Sequence, residues 1–131
     1  MREVTVITID ETHLDRMGIY RIWFGSYYYI GATINTFNRM KGHNCAINQG
    51  FSGKRHGKNS ITNIVLCLVY FEDIHFGFME LVEPIEYEEQ LVDAEQKWLT
   101  ASTGDKYCLN EKMVSYRKVG GLEIRPTFVE C

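Results

Sequence analysis

The chain has 131 residues, 45% of them hydrophobic, and a net charge of −3. That length matches one domain of ordinary size and leaves no room for a second folded unit. No apolar run approaches the roughly 20 residues that cross a bilayer, and Asp10, Glu11 and Asp15 come too early for a signal-peptide core, so the expectation is a cytoplasmic chain with no membrane partner.

Val4 to Ile9 is wholly β-branched and ends at Asp10, which predicts a short strand ahead of the main domain. Gly18 to Phe24 and Tyr27 to Thr33 are two aromatic and β-branched runs separated by Gly25-Ser26, the signature of a type II′ hairpin. Asn35 caps a helix predicted to run to about Ile47, and Gly42 costs that helix roughly 1 kcal/mol relative to alanine. Residues 48 to 58 are expected to form a glycine-rich basic loop. Asn59 or Ser60 then caps a second helix reaching Phe71, although Ile64 to Val69 is β-branched enough to keep a strand open as the alternative.

Phe76 to Val82 reads as a third strand, stopped by Glu83-Pro84. From Ile85 to about Thr100 the positions of Leu91, Val92, Ala94, Trp98 and Leu99 fit a helix, closed by Thr103-Gly104-Asp105. After Asn110, Gly120-Gly121 precede a candidate edge strand from Leu122 to Val129, interrupted by Pro126. Cys45, Cys67, Cys108 and Cys131 form no C-x-x-C pair and read as reduced thiols.

Charge is segregated along the chain. Between Arg16 and Phe71 there is no Asp or Glu, while seven Lys and Arg stand there; residues 1 to 15 carry −3 and residues 72 to 131 carry −7. Such a chain can turn one basic face to a polyanion despite an acidic total, or can pair its two halves internally.

The hairpin has a geometric consequence. With Gly25-Ser26 as the loop, Phe24 faces Tyr27, Ile22 faces Tyr29 and Tyr20 faces Gly31. Side chains alternate across a strand, so Tyr20 and Tyr29 emerge on one sheet face as diagonal neighbours. Arg39 and His43, four apart on the next helix, share a face. A guanidinium binds phosphate oxygens bidentately, and a histidine relays protons near neutrality.

Gly18-Ile19-Tyr20 and Tyr29-Ile30-Gly31 are the two halves of the signature of the GIY-YIG nucleases, and the chain resembles that family further downstream. Arg39 and His43 follow on the next helix. Phe78-Met79-Glu80-Leu81 is similar to the family's third strand, Glu95-Gln96-Lys97-Trp98 to its E-x-x-W helix, and Asn110 follows Tyr107. The pattern departs at Ala32, where serine is frequent, at Leu99, where isoleucine is usual, and in the looser stretch Tyr107-Cys108-Leu109.

The resemblance implies an α+β fold in which a small three-stranded antiparallel β-sheet is flanked by helices. It implies a single catalytic domain with its core at about residues 16–110, an N-terminal extension of residues 1–15 and a C-terminal extension of residues 111–131. It also implies a metal-dependent endonuclease that hydrolyses DNA phosphodiesters by in-line attack of water. In that scheme Tyr20 is the general base, Tyr29 bonds the phosphate or the water, Arg39 stabilises the transition state and His43 relays a proton. Glu95 holds Mg2+, with Mn2+ as a substitute, and Asn110 fixes the geometry. Arg39, Lys41, Lys54, Arg55, His56 and Lys58 are the candidate DNA-binding residues, and target choice falls to the basic loop, the extensions, a homodimer or a targeting partner protein. The alternative is a catalytically idle nucleic-acid-binding module that keeps the fold.

Overall fold

A computed structural model describes residues 6–51, 60–111, 113–115, 117–119 and 121–127. Strands β2 (Gly18–Phe24) and β3 (Tyr27–Thr33) pair antiparallel in the register read from the sequence, with Phe24 opposite Tyr27, Ile22 opposite Tyr29 and Tyr20 opposite Gly31. Gly25 takes φ 64° at the first loop position while Ser26 keeps a negative φ, as a type II′ turn requires. Gly31 has a packing reason to be glycine: a Cβ there would fall onto Cζ and the hydroxyl of Tyr20.

The fold is α+β, but its sheet is not the expected three antiparallel strands. It has four, β1 (Val6–Ile9) and β4 (Phe76–Pro84) joining the hairpin in the order β1-β4-β2-β3. Strand β4 lies antiparallel to β2, and β1 lies parallel to β4 with Val6 opposite Phe76. The composition of residues 6–9 announces a strand, yet a parallel partner can be reached only across a long crossover. Here that crossover contains the hairpin and two helices, which local pattern does not reveal. Ile7 is buried in the core. Its N–H donates to Asn44 Oδ1 at 2.8 Å and its carbonyl accepts from Asn44 Nδ2 at 3.0 Å, so a side-chain amide closes this edge of the sheet.

Helix α1 (Thr36–Phe51) starts where Asn35 Oδ1 accepts from the Asn38 N–H at 3.0 Å, and it runs past Ile47, so residues 48–51 are helical rather than loop. The remainder of the expected basic loop lies outside the described residues. Residues 60–72 resolve to helix, α2 (Ser60–Glu72). Its buried Ile61, Val65 and Leu68 recur at i, i+4, i+7 and pack with Ile47, Ile22, Phe24 and Met79 on one sheet face.

Helix α3 (Leu91–Ala101) begins later than expected, because Ile85 is held extended by its N–H to the Met17 carbonyl at 2.9 Å and a 3₁₀ turn at Glu88–Gln90 intervenes. Leu91, Ala94 and Leu99 pack on Ile19, Tyr28 and Ile30, the opposite face of the sheet. The tail forms a two-stranded ribbon, β5 (Arg117–Val119) and β6 (Leu122–Ile124), turned at Gly121 with φ 85°. Among the described residues no helix is long and apolar enough to cross a membrane.

Gly31→Ala should cost about 1–3 kcal/mol in urea unfolding, the usual penalty for overpacking a filled core, because the Tyr20 ring has to leave its seat. Wild-type stability in that variant would contradict the packing.

Candidate active site

Five residues singled out from the sequence meet at one pocket of about 390 Å³, which Tyr20, Tyr29, Arg39, His43 and Glu95 line together with Arg117. The hairpin supplies the two tyrosines and α1 supplies Arg39 and His43 on one face. Gly42, between them, adds open space, since a Cβ there would meet nothing within 4 Å. Glu95 comes from α3, beyond the β3 edge.

The deepest group is Tyr20, 2% exposed, whose ring lies on Gly31 and whose hydroxyl is 2.8 Å from His43 Nε2. Both Tyr20 and Tyr29 meet the His43 ring edge-on, at centroid distances of 5.9 and 6.1 Å, which puts the two phenols on the same sheet face. Burial, with smaller contributions from Tyr29 and Glu95, pushes the Tyr20 phenol well above its ordinary value against an opposing pull from Arg39. Burial, seconded by Arg39, pushes His43 down to about 3. The resting pair is therefore neutral, and the physical arrangement is a Tyr20 O–H donating to an unprotonated Nε2.

Glu95 is placed by its neighbours on α3. Trp98, one turn later, stacks on Arg21, whose guanidinium lies 4.8 Å from the Trp98 ring centre and 5.2 Å from those of Trp23 and Tyr28. The Trp98 indole N–H also donates to Glu83 Oε1 at 2.9 Å, so the helix cannot turn freely about its axis. One carboxylate oxygen of Glu95 accepts from Ser115 Oγ at 2.5 Å. Burial raises the Glu95 carboxyl above its ordinary value, and the Ser115 bond, Arg39 and Arg117 restrain that rise.

Ser115 and Arg117 were not singled out from the sequence. They arrive because Gln96, 4% exposed, ties down the tail: its Nε2 donates to the Met113 carbonyl at 2.9 Å and its Oε1 accepts from the Ser115 N–H at 2.9 Å. Ser115 and Arg117 stand two apart in the sequence, and Ser115 bonds Glu95 while Arg117 lines the pocket. That spacing was the only signal, and it is a common one.

Asn110 lies outside the pocket. In this hairpin Tyr28, Ile30 and Ala32 turn their backbone groups away from β2. The Tyr28 N–H donates to the Tyr107 carbonyl at 2.9 Å, its carbonyl accepts from Leu109 N at 2.8 Å, and Asn110 bonds both Ile30 N and Ile30 O at 2.8 Å. Asn110 thus closes the β3 edge, and the pocket opens one step further at Ala32. Lys41 is exposed on α1 with Nζ 4.6 Å from the Phe37 ring centre, also outside the pocket. Lys54, Arg55, His56 and Lys58 lie outside the described residues.

A divalent cation fits Glu95 in a limited sense. Among the described residues there is no cluster of three or more His, Cys, Asp or Glu side chains. A cation here would take the carboxylate oxygen left by Ser115 and complete its shell with water and substrate oxygens, as Mg2+ commonly does.

Two outcomes follow from this geometry. The folded chain takes up a proton on His43 only near pH 3, the unfolded chain near 6.5, so the stability this group contributes is full above about 6.5 and falls with pH through that window. The slope reaches about 1.4 kcal/mol per pH unit, partly offset at the acid end by Glu95, whose raised carboxyl protonates first in the folded state. His43→Gln should flatten urea-derived stability between pH 6 and 4, and curves parallel to wild type would contradict the neutral buried imidazole. Asn110→Ala should cost about 1–3 kcal/mol for the lost Ile30 bonds, and an Asn110→Ala protein of wild-type stability would overturn the edge-closing role.

Comparison with known proteins adds no family: no family model matches the chain, nor does any curated protein or solved structure.

Proposed function

We propose that the chain is a GIY-YIG endonuclease that hydrolyses DNA phosphodiesters with one divalent metal ion, its sheet and helices being a variant of that family's fold with β1 added at one edge. The observation that carries the reading is the convergence of two phenols, an imidazole, a guanidinium and a carboxylate on one open pocket from three separate parts of the chain. A module that only bound nucleic acid would need the cations but neither the buried Tyr20–His43 pair nor the half-buried Glu95 carboxylate, and both are costly to withdraw from water.

In this reading Arg39, exposed at the pocket mouth, grips the scissile phosphate through paired N–H donors and remains charged as negative charge builds in the transition state. Tyr29 orients the phosphate or the attacking water. Water attacks phosphorus in line, the bond to the 3′-oxygen breaks, and the 3′-oxygen takes a proton from solvent. The proton released by the attacking water passes to the Tyr20 oxygen while the Tyr20 proton moves to His43 Nε2 along the 2.8 Å bond. That relay avoids a buried phenolate. It also explains why a histidine held down near pH 3 is useful, since a phosphate anion entering the pocket raises its affinity for a proton. Mg2+, or Mn2+, held by Glu95 would polarise the phosphate and stabilise the departing oxygen.

DNA is the proposed partner, and a homodimer or a targeting partner protein is the proposed route to duplex cleavage and target choice. A cytoplasmic location belongs to the same reading.

Nicking of supercoiled plasmid in Mg2+ tests it. Glu95→Ala and Tyr20→Phe should each lower the rate roughly 10²-fold or more, with EDTA abolishing wild-type activity. Tyr20→Phe keeps the ring on Gly31 but takes the partner from His43 Nε2, so a urea unfolding curve run beside the assay separates lost chemistry from lost fold. Arg39→Ala should depress the cleavage rate far more than DNA affinity. Equal, EDTA-insensitive nicking by all the proteins would defeat the assignment.

A further inference from the structure

Arg117 comes from the C-terminal tail, outside the set of residues that the hairpin and helices bring together, yet it lines the same pocket as Arg39 and Glu95. The tail is held there deliberately. Gln96 bonds Met113 and Ser115, Ser115 bonds Glu95, and further on the Thr127 N–H and hydroxyl donate to the Asp93 carboxylate at 2.6 and 2.8 Å. Three neighbouring side chains of α3 thus clamp the ribbon on both sides of Arg117.

The guanidinium itself is asymmetric. Nη2 pairs with Glu88 Oε2 at 3.3 Å, whereas Nη1 is buried and has no hydrogen-bond partner among the described residues. A buried charged donor without an acceptor is expensive, and proteins rarely leave one unless something else supplies the acceptor. Glu88 fixes the plane of the fork from outside the pocket, and the remaining donor is left for an oxygen that arrives with a ligand. The pocket lining carries two guanidinium groups and one carboxylate, with Glu88 pairing Arg117 from outside it, so an entering anion meets both cations and a single acidic side chain.

We infer that Arg117 is a second phosphate-binding guanidinium of this pocket, delivered by the C-terminal ribbon, which binds a backbone phosphodiester of nucleic acid together with Arg39. The inference rests on reading the pocket as a phosphate site and extends it: the tail completes the binding surface, and a chain cut before residue 113 would lose Arg117 and every tail residue named in the clamp. Arg117 acts on substrate binding, so its loss should raise KM more than it lowers kcat.

The test uses the full chain labelled with ¹⁵N-arginine, titrated first with inorganic phosphate and then with a thymidine tetranucleotide, both without divalent metal. The Nε–Hε resonances of Arg39 and Arg117 should shift together with one half-saturation point. Arg117→Ala should weaken both ligands about tenfold, the size of one charge-assisted hydrogen bond. If that variant fails to fold by urea titration, Arg117→Lys, which keeps the charge and loses the fork, decides the matter with a weakening of about threefold or more. An Arg117 resonance that stays still while Arg39 moves, wild-type affinity in the folded variant, or no binding by the wild type would each overturn the inference. Dependence on Arg117 for inorganic phosphate alone would overturn the assignment to a nucleic-acid phosphate. Binding that follows Arg117 in a protein that never nicks DNA would leave the subsite standing and remove the nuclease reading, so the two failures are separable.

Discussion

The contact between the Tyr20 ring and the bare backbone of Gly31 governs the pocket. Seating a tyrosine flat on a neighbouring strand sinks its hydroxyl into the core, where it must find a partner or cost several kcal/mol. The partner is His43 Nε2, and that bond sets where α1 lies over the sheet. Once α1 is placed, Arg39 follows one turn earlier on the same face and Asn44, one residue after His43, reaches Ile7 at the far edge. One helix thereby positions Arg39 and His43 of the candidate site and closes one side of the sheet.

The two sheet edges are closed by the same chemical device. A primary amide offers one donor and one acceptor in the spacing of a strand's own N–H and C=O, so a single Asn replaces a strand for one residue pair. Asn44 does this for β1 and Asn110 for β3. On the β3 side the closure stops at Ile30, which leaves the next outward-turned residue, Ala32, at the pocket rim. The pocket therefore lies where the sheet edge ceases to be covered, and α3 is fastened beside it by Trp98 on Arg21.

Electrostatically the site keeps its cost low by remaining neutral where it is deep and charged where it is open. Tyr20 and His43 are buried and uncharged, whereas Arg39 stands at the surface and Glu95 is partly buried with a hydroxyl donor and two cations near it. Charge moves inward only when a ligand brings compensating charge, which is the economical order in a low-dielectric interior.

Much of this was legible from local pattern. The hairpin register followed from Gly25-Ser26 and period-two alternation, and with it the shared face of Tyr20 and Tyr29; the four-residue spacing of Arg39 and His43 gave a shared helix face. These features depend on chain neighbours and on fixed geometric periods, so composition and spacing suffice. The helical state of residues 60–72 needed the core, because β-branched Ile64, Val65 and Val69 suit a strand until Ile61, Val65 and Leu68 meet Ile47 and Phe24. The parallel docking of β1, the structural rather than site position of Asn110, and the entry of Ser115 and Arg117 were beyond local pattern for one reason. Each depends on which distant segments share space, and backbone hydrogen bonds and buried charges are satisfied in three dimensions by whatever residue the tertiary fold brings within reach.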